Sequence, residues 1–208
     1  MSLRGRFITF EGGEGAGKST QARRLAEALA ATGLAVLRTR EPGGTPGAER
    51  IRDLLLGHGP WEPVAEAMLH FAARREHLTR TILPFIAAGG WVVCDRFADS
   101  TLAYQGAQGL PREVWARLAE IALEGAAPDL TLVLDLPAAS GMARAAARSG
   151  ADRYERMGEA FHRRVRESFL AIAAAEPGRC VVIDAGAGMD AVTAAIRRAV
   201  GERLGVGL

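Results

Sequence analysis

The chain is poor in cysteine, nearly without net charge, and lacks any long apolar run. Only Cys94 and Cys180 occur among 208 residues, each inside an apolar strand-like stretch, which excludes a disulfide scaffold and reads as two reduced core thiols. No Cys/His spacing suggests zinc. With 26 Lys and Arg against 24 Asp and Glu, the net charge of +2 makes no case for a nucleic-acid-binding surface. No apolar stretch reaches the roughly 18 residues that a membrane helix needs, and Met1–Arg6 lacks a hydrophobic signal region. What is there is ordinary for a globular protein: 49% apolar and 24% charged residues. The expectation is one compact cytoplasmic domain, 1–208, with no membrane or nucleic-acid partner.

Against that background one stretch carries specific chemistry. Gly12 to Ser19 read G-G-E-G-A-G-K-S and match G-x-x-x-x-G-K-[ST], between the apolar run Phe7–Phe10 and a helical pattern starting near Lys18. Glycines let backbone N–H groups converge on phosphate oxygens, and the helix N-terminus adds its partial positive charge. The expected triphosphate contacts are Gly12, Gly13, Glu14, Gly15, Ala16, Gly17, Lys18, Ser19 and Thr20. Lys18 supplies a mobile cation to the β- and γ-phosphates, and the Ser19 hydroxyl a ligand for Mg²⁺.

Strands alternate with helices along the rest of the chain. Apolar runs at Phe7–Phe10, Ala35–Thr39, Trp91–Cys94, Leu130–Leu134 and Cys180–Ile183 suit a parallel sheet covered on both faces. Helical patterns fall between them, at Lys18–Thr32, Gly47–Leu56, Pro63–Ala88, Arg112–Leu123, Pro137–Arg148, Glu155–Ala175 and Met189–Leu204. Pro84 should disturb the third of these. The fold class is therefore α/β, a doubly wound parallel five-stranded sheet with helices on both faces. Two stretches read as loops that either meet ligand or merely connect: Arg40–Gly47, rich in Pro and Gly, and Arg148–Arg153.

The run Val93–Gln105 suggests a second phosphate. Asp95 and Arg96 fall at the C-terminal tip of the third strand, where Asp95 can hold Mg²⁺ through water and Arg96 can grip a phosphate bidentately. The plain alternative is a surface ion pair.

Four blocks then carry a resemblance: Arg40-Glu-Pro-Gly-Gly-Thr45, Phe71-Ala-Ala-Arg-Arg75, Asp95-Arg-Phe-x-x-Ser-Thr-x-Ala-Tyr-Gln105 and Pro128-Asp-Leu-Thr-Leu-x-Leu-Asp135. In order and spacing the chain resembles bacterial thymidylate kinases over nearly its whole length. The resemblance implies a nucleoside monophosphate kinase fold and transfer of the ATP γ-phosphoryl to dTMP, with Mg²⁺ and a homodimer. It also implies that Phe71, which alone would read as core, stacks on thymine, and that Arg75 bonds the O4 carbonyl. Arg74 beside it is expected to face the surface or a partner subunit. Thr101 and Gln105 match residues lining base and sugar, Tyr104 one that disfavours ribose, and Glu14 one that reaches the 3′-hydroxyl. Arg52 fits a contact to the acceptor phosphate and a solvated helix face equally well.

A phosphate acceptor has a second pKa of about 6 and is already an anion near pH 7, so no general base is required. His58, His70, His77 and His162 accordingly read as helix-surface or loop residues. The phosphate loop's variable positions contain no arginine. The resemblance therefore implies a lid at about 148–155 that supplies one, with Arg148 favoured over Arg153, although Ala146 stands where some relatives carry another arginine. Lys18, Arg96, Arg148 and Arg153 form the expected catalytic set. Two other readings remain open: a kinase for another nucleoside monophosphate or a deoxynucleoside, and a nucleotide-dependent switch protein.

Overall fold

The computed structural model describes residues 5–147 and 153–208. Five parallel strands form one sheet: β1 (Arg6–Glu11), β2 (Val36–Arg40), β3 (Trp91–Asp95), β4 (Leu130–Asp135) and β5 (Cys180–Asp184), in the order β2-β3-β1-β4-β5. Each strand lies where an apolar run was expected; four extend it by one or two residues, and β2 keeps the expected length but begins and ends one residue later. The central pair β1 and β3 aligns Phe10 with Asp95, so the phosphate loop leaves β1 beside the tip that carries Asp95 and Arg96.

Alternation along β1 assigns its two faces. Ile8 and Phe10 point to a core shared with α1 (Lys18–Ala31) and α9 (Met189–Leu204), through Leu25, Leu29, Ile196 and Val200. Phe7 points the other way, towards Leu78, Ile82 and Phe97, and Thr9 and Glu11 share its face. That face is covered by α3 (Pro63–His77), α5 (Ala98–Gly106), α6 (Arg112–Leu123) and α8 (Glu159–Ala175). The helix α2 (Pro46–Gly57) packs on α3, and α7 (Ala138–Ala146) packs on α8. Among the described residues no helix is long and apolar enough to cross a membrane, and both cysteines are buried free thiols.

Pro84 has the expected effect. After His77 the helix widens into a π turn at Leu78–Ile82 before α4 (Leu83–Ala87), because Pro84 has no N–H to offer the carbonyl four residues back. The helix α5 was not foreseen. Nearly all of its residues are buried, including Asp99, Ser100, Thr101 and Gln105, so it lacks the two-faced pattern that marks a surface helix.

Glu11 holds α5 in place. Its Oε1 accepts from the backbone N–H of Phe97 at 2.8 Å and of Ser100 at 3.2 Å, and its Oε2 lies 2.5 Å from Ser100 Oγ. The side chain is 0% exposed. Burial, and then Asp99, push this carboxyl from 4.5 up to about 8, against the opposing pull of the Ser100 hydroxyl and Arg96. The folded chain thus keeps a proton that the unfolded chain gives up. The associated stability is complete below pH 4.5 and is lost as pH rises through about 8. Glu11→Gln preserves an acceptor for both N–H groups and a donor for Ser100. Urea unfolding from pH 5 to 8 should therefore show a smaller loss of stability in the variant than in the parent, whereas parallel curves would exclude Glu11 as the titrating group.

Candidate active site

The phosphate loop is built by backbone. Gly17, at φ 89°, caps α1, and no side chain takes the cap's place, so the first-turn N–H groups of α1 face the cleft. Lys18 folds back along the loop and donates to Gly12 O at 3.0 Å and Gly13 O at 2.6 Å. Burial, and then the neighbouring Arg96, lower its pKa to about 8, with Glu14, Asp95 and Glu11 pulling the other way. Gly15 has φ 69°, and a Cβ there would stand 2.1 Å from Gly141 O in α7. The approach is mutual, since a Cβ on Gly141 would stand 2.3 Å from Glu14 O. Two glycines therefore let α7 dock against the loop.

The facing wall is the tip of β3. Arg96 has φ 70°, a left-handed backbone that non-glycine residues rarely adopt. Its guanidinium donates to Gly12 O at 3.2 Å, Ser100 Oγ at 3.2 Å, Glu14 Oε1 at 2.6 Å and Tyr104 Oη at 3.0 Å. Tyr104 donates to the same Glu14 oxygen at 2.7 Å. Burial alone would raise the Glu14 carboxyl, but Arg96 first, then Lys18 and the Tyr104 hydroxyl, hold it down at about 2. Glu14 is therefore a fixed anion between two cations. Ser19 Oγ donates to Asp95 Oδ2 at 2.5 Å, while Asp95 Oδ1 is buried with no partner among the described residues. A hydroxyl beside a carboxylate with a spare buried oxygen is the oxygen-rich donor set that Mg²⁺ takes.

Two cavities flank the loop, and Gly15, Gly17 and Thr20 line both. One, of about 220 Å³, is walled by Glu14, Lys18, Arg52, His70, Arg96, Tyr104, Gln105 and Tyr154. The other, of about 520 Å³, lies between α1, Arg144 of α7 and the turn Ala185–Met189 that enters α9. Arg144 donates to Ala185 O at 3.0 Å, which ties the two walls of this second cavity together.

Behind the first cavity α3 presents a polar stripe. Glu66, His70, Arg74 and His77 recur at helical spacing, and Glu66, Arg74 and His77 are each 2% exposed or less. Arg74 donates to Glu41 at 2.7 Å, Thr101 Oγ1 at 3.1 Å and Phe97 O at 2.9 Å. His77 bridges Glu41 at 3.1 Å and Thr39 at 2.8 Å. This buried knot fastens the 41–45 loop to α3 and α5.

Comparison with known proteins agrees with this geometry. The family model described as "Thymidylate kinase" matches residues 10–196. The chain belongs to the thymidylate kinase family. A thymidylate kinase of Caulobacter vibrioides is 59% identical over 205 residues, covering 97% of this chain and 99% of the relative. One of Gluconobacter oxydans is 55% identical, with 99% of each chain covered. The crystal structure of thymidylate kinase from Ehrlichia chaffeensis superposes with a TM-score of 0.79 at 32% identity, covering 94% of this chain and 98% of that one.

Within this thymidylate kinase family member, the structure brings Glu14, Lys18, Ser19, Asp95, Arg96, Tyr104, Gln105 and Arg52 to one cleft, with Thr101 buried behind it. Arg52, which fitted two readings, lines the cleft and donates to Pro42 O at 2.8 Å. Phe71 and Arg75 do not reach it. Phe71 packs on Ala119 and Ala122 of α6, and Arg75 pairs with Glu124 at the protein's surface. One position earlier on α3, His70 lines the cavity and Arg74 is buried, the reverse of the expectation for Arg74. A slip of one residue turns a helix by about 100°, enough to exchange cleft for surface. The surface reading of the histidines is likewise overturned for His70, His77 and His162; only His58 is exposed. Arg148 lies outside the described residues. Arg153, expected over the phosphates, is instead ion-paired with buried Glu66, its guanidinium 4.7 Å from the Tyr154 ring centroid.

Sequence reasoning missed Glu11, Glu41, Glu66, Arg144, Tyr154 and Gly141. The last gives a direct test. Gly141→Ala leaves a good helix former in α7 but drives a methyl into the Glu14 carbonyl, an overpacking cost of about 1–3 kcal/mol. Binding of a fluorescent ATP analogue should weaken by roughly tenfold, alongside a fall in melting temperature of about 2–4 °C for each kcal/mol of that cost. Unaltered binding would show that α7 does not set the loop's shape.

Proposed function

We propose that the chain transfers the γ-phosphoryl of ATP to dTMP, giving dTDP and ADP, with Mg²⁺. Beyond family membership, one observation carries the reading: two cavities meet at a single phosphate loop, with the Arg96–Glu14 pair standing where their phosphates would face each other. The α1 N-terminus and loop amides grip the donor's phosphates. The donor base enters the cavity between Arg144 and the Ala185–Met189 turn. The acceptor lies in the other cavity, with its base against the neutral His70 ring, in the place expected for Phe71, and its phosphate towards Arg96 and Arg52.

In-line transfer asks mainly for alignment and for cations around mutually repelling phosphates. Lys18 reaches the loop's carbonyls and so can swing to a phosphoryl oxygen without moving the backbone. Arg96 is anchored at Gly12 O, at the loop's own origin, which fixes the distance between donor and acceptor grips. Ser19 and Asp95 would hold Mg²⁺, which would supply charge neutralisation at the donor's phosphates. The setting is cytoplasmic, consistent with two unpaired thiols and an ATP-dependent reaction.

A homodimer is the proposed assembly. Between α3 and α6 lies an apolar groove lined by Met68, Phe71, Ala72, Leu118 and Ile121, with Met68 54% and Ile121 73% exposed and Arg75 and Glu124 at the rim. Ile121→Asp should shift sedimentation to the monomer; an unshifted dimer would place the contact elsewhere.

The activity is tested by incubating pure protein with ATP, Mg²⁺ and each nucleoside monophosphate, then identifying the diphosphate. dTDP from dTMP is expected, and formation of another diphosphate in preference overturns the reading. Arg96→Ala should lower kcat by about 10³-fold or more. His70→Ala should raise KM for dTMP roughly tenfold, the worth of one stacked base, while Arg75→Ala leaves it alone. A KM raised equally by Arg75→Ala would return that arginine to the pocket.

A further inference from the structure

One wall of the acceptor cavity is uncharged towards its ligand and is assembled from three distant parts of the chain. The Tyr154 hydroxyl lies 2.8 Å from Glu66 Oε1, 3.1 Å from Gln105 Nε2 and 3.0 Å from His70 Nε2. Glu66 is 0% exposed, pairs with Arg153 and accepts from Gln108 Nε2 at 3.0 Å. Paired in this way it is a carboxylate and can only accept.

The protons of the wall follow from counting. A phenol has one proton, and Glu66 must receive it. Gln105 and His70 must then both donate to the Tyr154 oxygen. Gln105 therefore turns its NH₂ end to Tyr154, and its carbonyl Oε1 is the end left for the cavity that Gln105 lines. Among the described residues no donor takes that oxygen. His70 is likewise confined to the tautomer with the proton on Nε2. Its ring stays neutral, pushed down to about 3 by burial and by Arg74, Arg96 and Arg52.

We propose that Glu66, acting through the Tyr154 hydroxyl, is a positioning residue that sets the polarity of the base pocket. It holds the Gln105 amide so that Oε1 accepts from the N3–H of a keto pyrimidine, thymine or uracil. Cytosine carries a lone pair at N3 and meets that oxygen with like polarity. Selectivity of this kind is strong because the wrong base leaves two buried acceptors face to face. The proposal rests on the reading of this cavity as the acceptor nucleotide site.

Glu66→Gln gives Tyr154 a partner that can also donate, which releases the phenol proton to Gln105 or His70 and lets the amide turn over. Tyr154→Phe removes the oxygen altogether and reads the same quantity should the first variant not fold. In the full-length protein, dissociation constants for dTMP, dCMP and ATP are measured by calorimetry. Expected is a fall of about tenfold or more in the dTMP-over-dCMP ratio in either variant, with ATP affinity within about twofold of the parent. A merely structural role would weaken dTMP and dCMP alike, and an unchanged ratio overturns the proposal. Nitrogen NMR of His70 is a second reading: a proton on Nδ1 in the parent overturns it, and the Nε2–H form lost in Tyr154→Phe supports it. These results stand apart from the activity itself. A parent that makes no dTDP refutes the proposed function, whereas a parent that makes dTDP with an unaltered ratio in both variants refutes only the part given to Glu66.

Discussion

Cations gathered at one spot repel each other, and the cleft depends on how Lys18 and Arg96 are kept together. Neither is left to water. Lys18 is 6% exposed and rests on two loop carbonyls, and Arg96 is pinned by a carbonyl, two hydroxyls and Glu14. The strain of that arrangement is visible in Lys18, whose pKa falls to about 8 under burial and the push of Arg96. Glu14 is the counterweight, ionised down to about pH 2. Phosphoryl oxygens entering the cleft would offer the same cations stronger acceptors, so on the proposed reading the charge needed for transfer is in place before the substrates arrive.

The parts of this arrangement legible in the sequence are those fixed by local backbone. The phosphate loop announces itself because a strand, a run of glycines and a helix start must follow each other without interruption. Asp95 and Arg96 were placed because a parallel α/β sheet binds at strand tips, and β3 does lie beside β1. All five strands were visible because burial on both faces leaves near-continuous apolar runs.

What was misread belongs to α3 and α5. The block Phe71–Arg75 offers an aromatic and an arginine one turn apart, but so does the block starting one residue earlier, with a histidine as the ring. The resemblance was matched to phenylalanine, and packing chose otherwise, because Phe71 fits among Ala119, Ala122 and Trp115 of α6. A better signal was present. Glu66, His70, Arg74 and His77 form a polar stripe at helical period in an otherwise alanine-rich helix, and polar residues on the face that ought to be buried mark a site rather than a surface. Tyr154 had no such signal. Its partners sit at positions 66, 70 and 105, and only the folded chain brings them within reach.

Two glutamates three residues apart in sequence show how little residue type decides alone. Glu11 ends β1 pointing under α5, where burial and Asp99 favour its proton and where two backbone N–H groups and a serine satisfy the carboxyl in either state. Glu14 lies one bend further on, between Arg96 and Lys18, where only the anion serves. The first acts as a hydrogen-bonding template that fixes a helix, the second as a charge that holds an arginine. The difference comes from position: Glu11 is the last residue of β1 and sits beneath the start of α5, whereas Glu14 lies in the loop beside Arg96 and Lys18. Exchange of the two environments would leave Arg96 without a counter-ion and place a bare charge beneath α5. The order strand, template, loop, counter-charge is thus a condition for a left-handed Arg96 to point into the cleft at all.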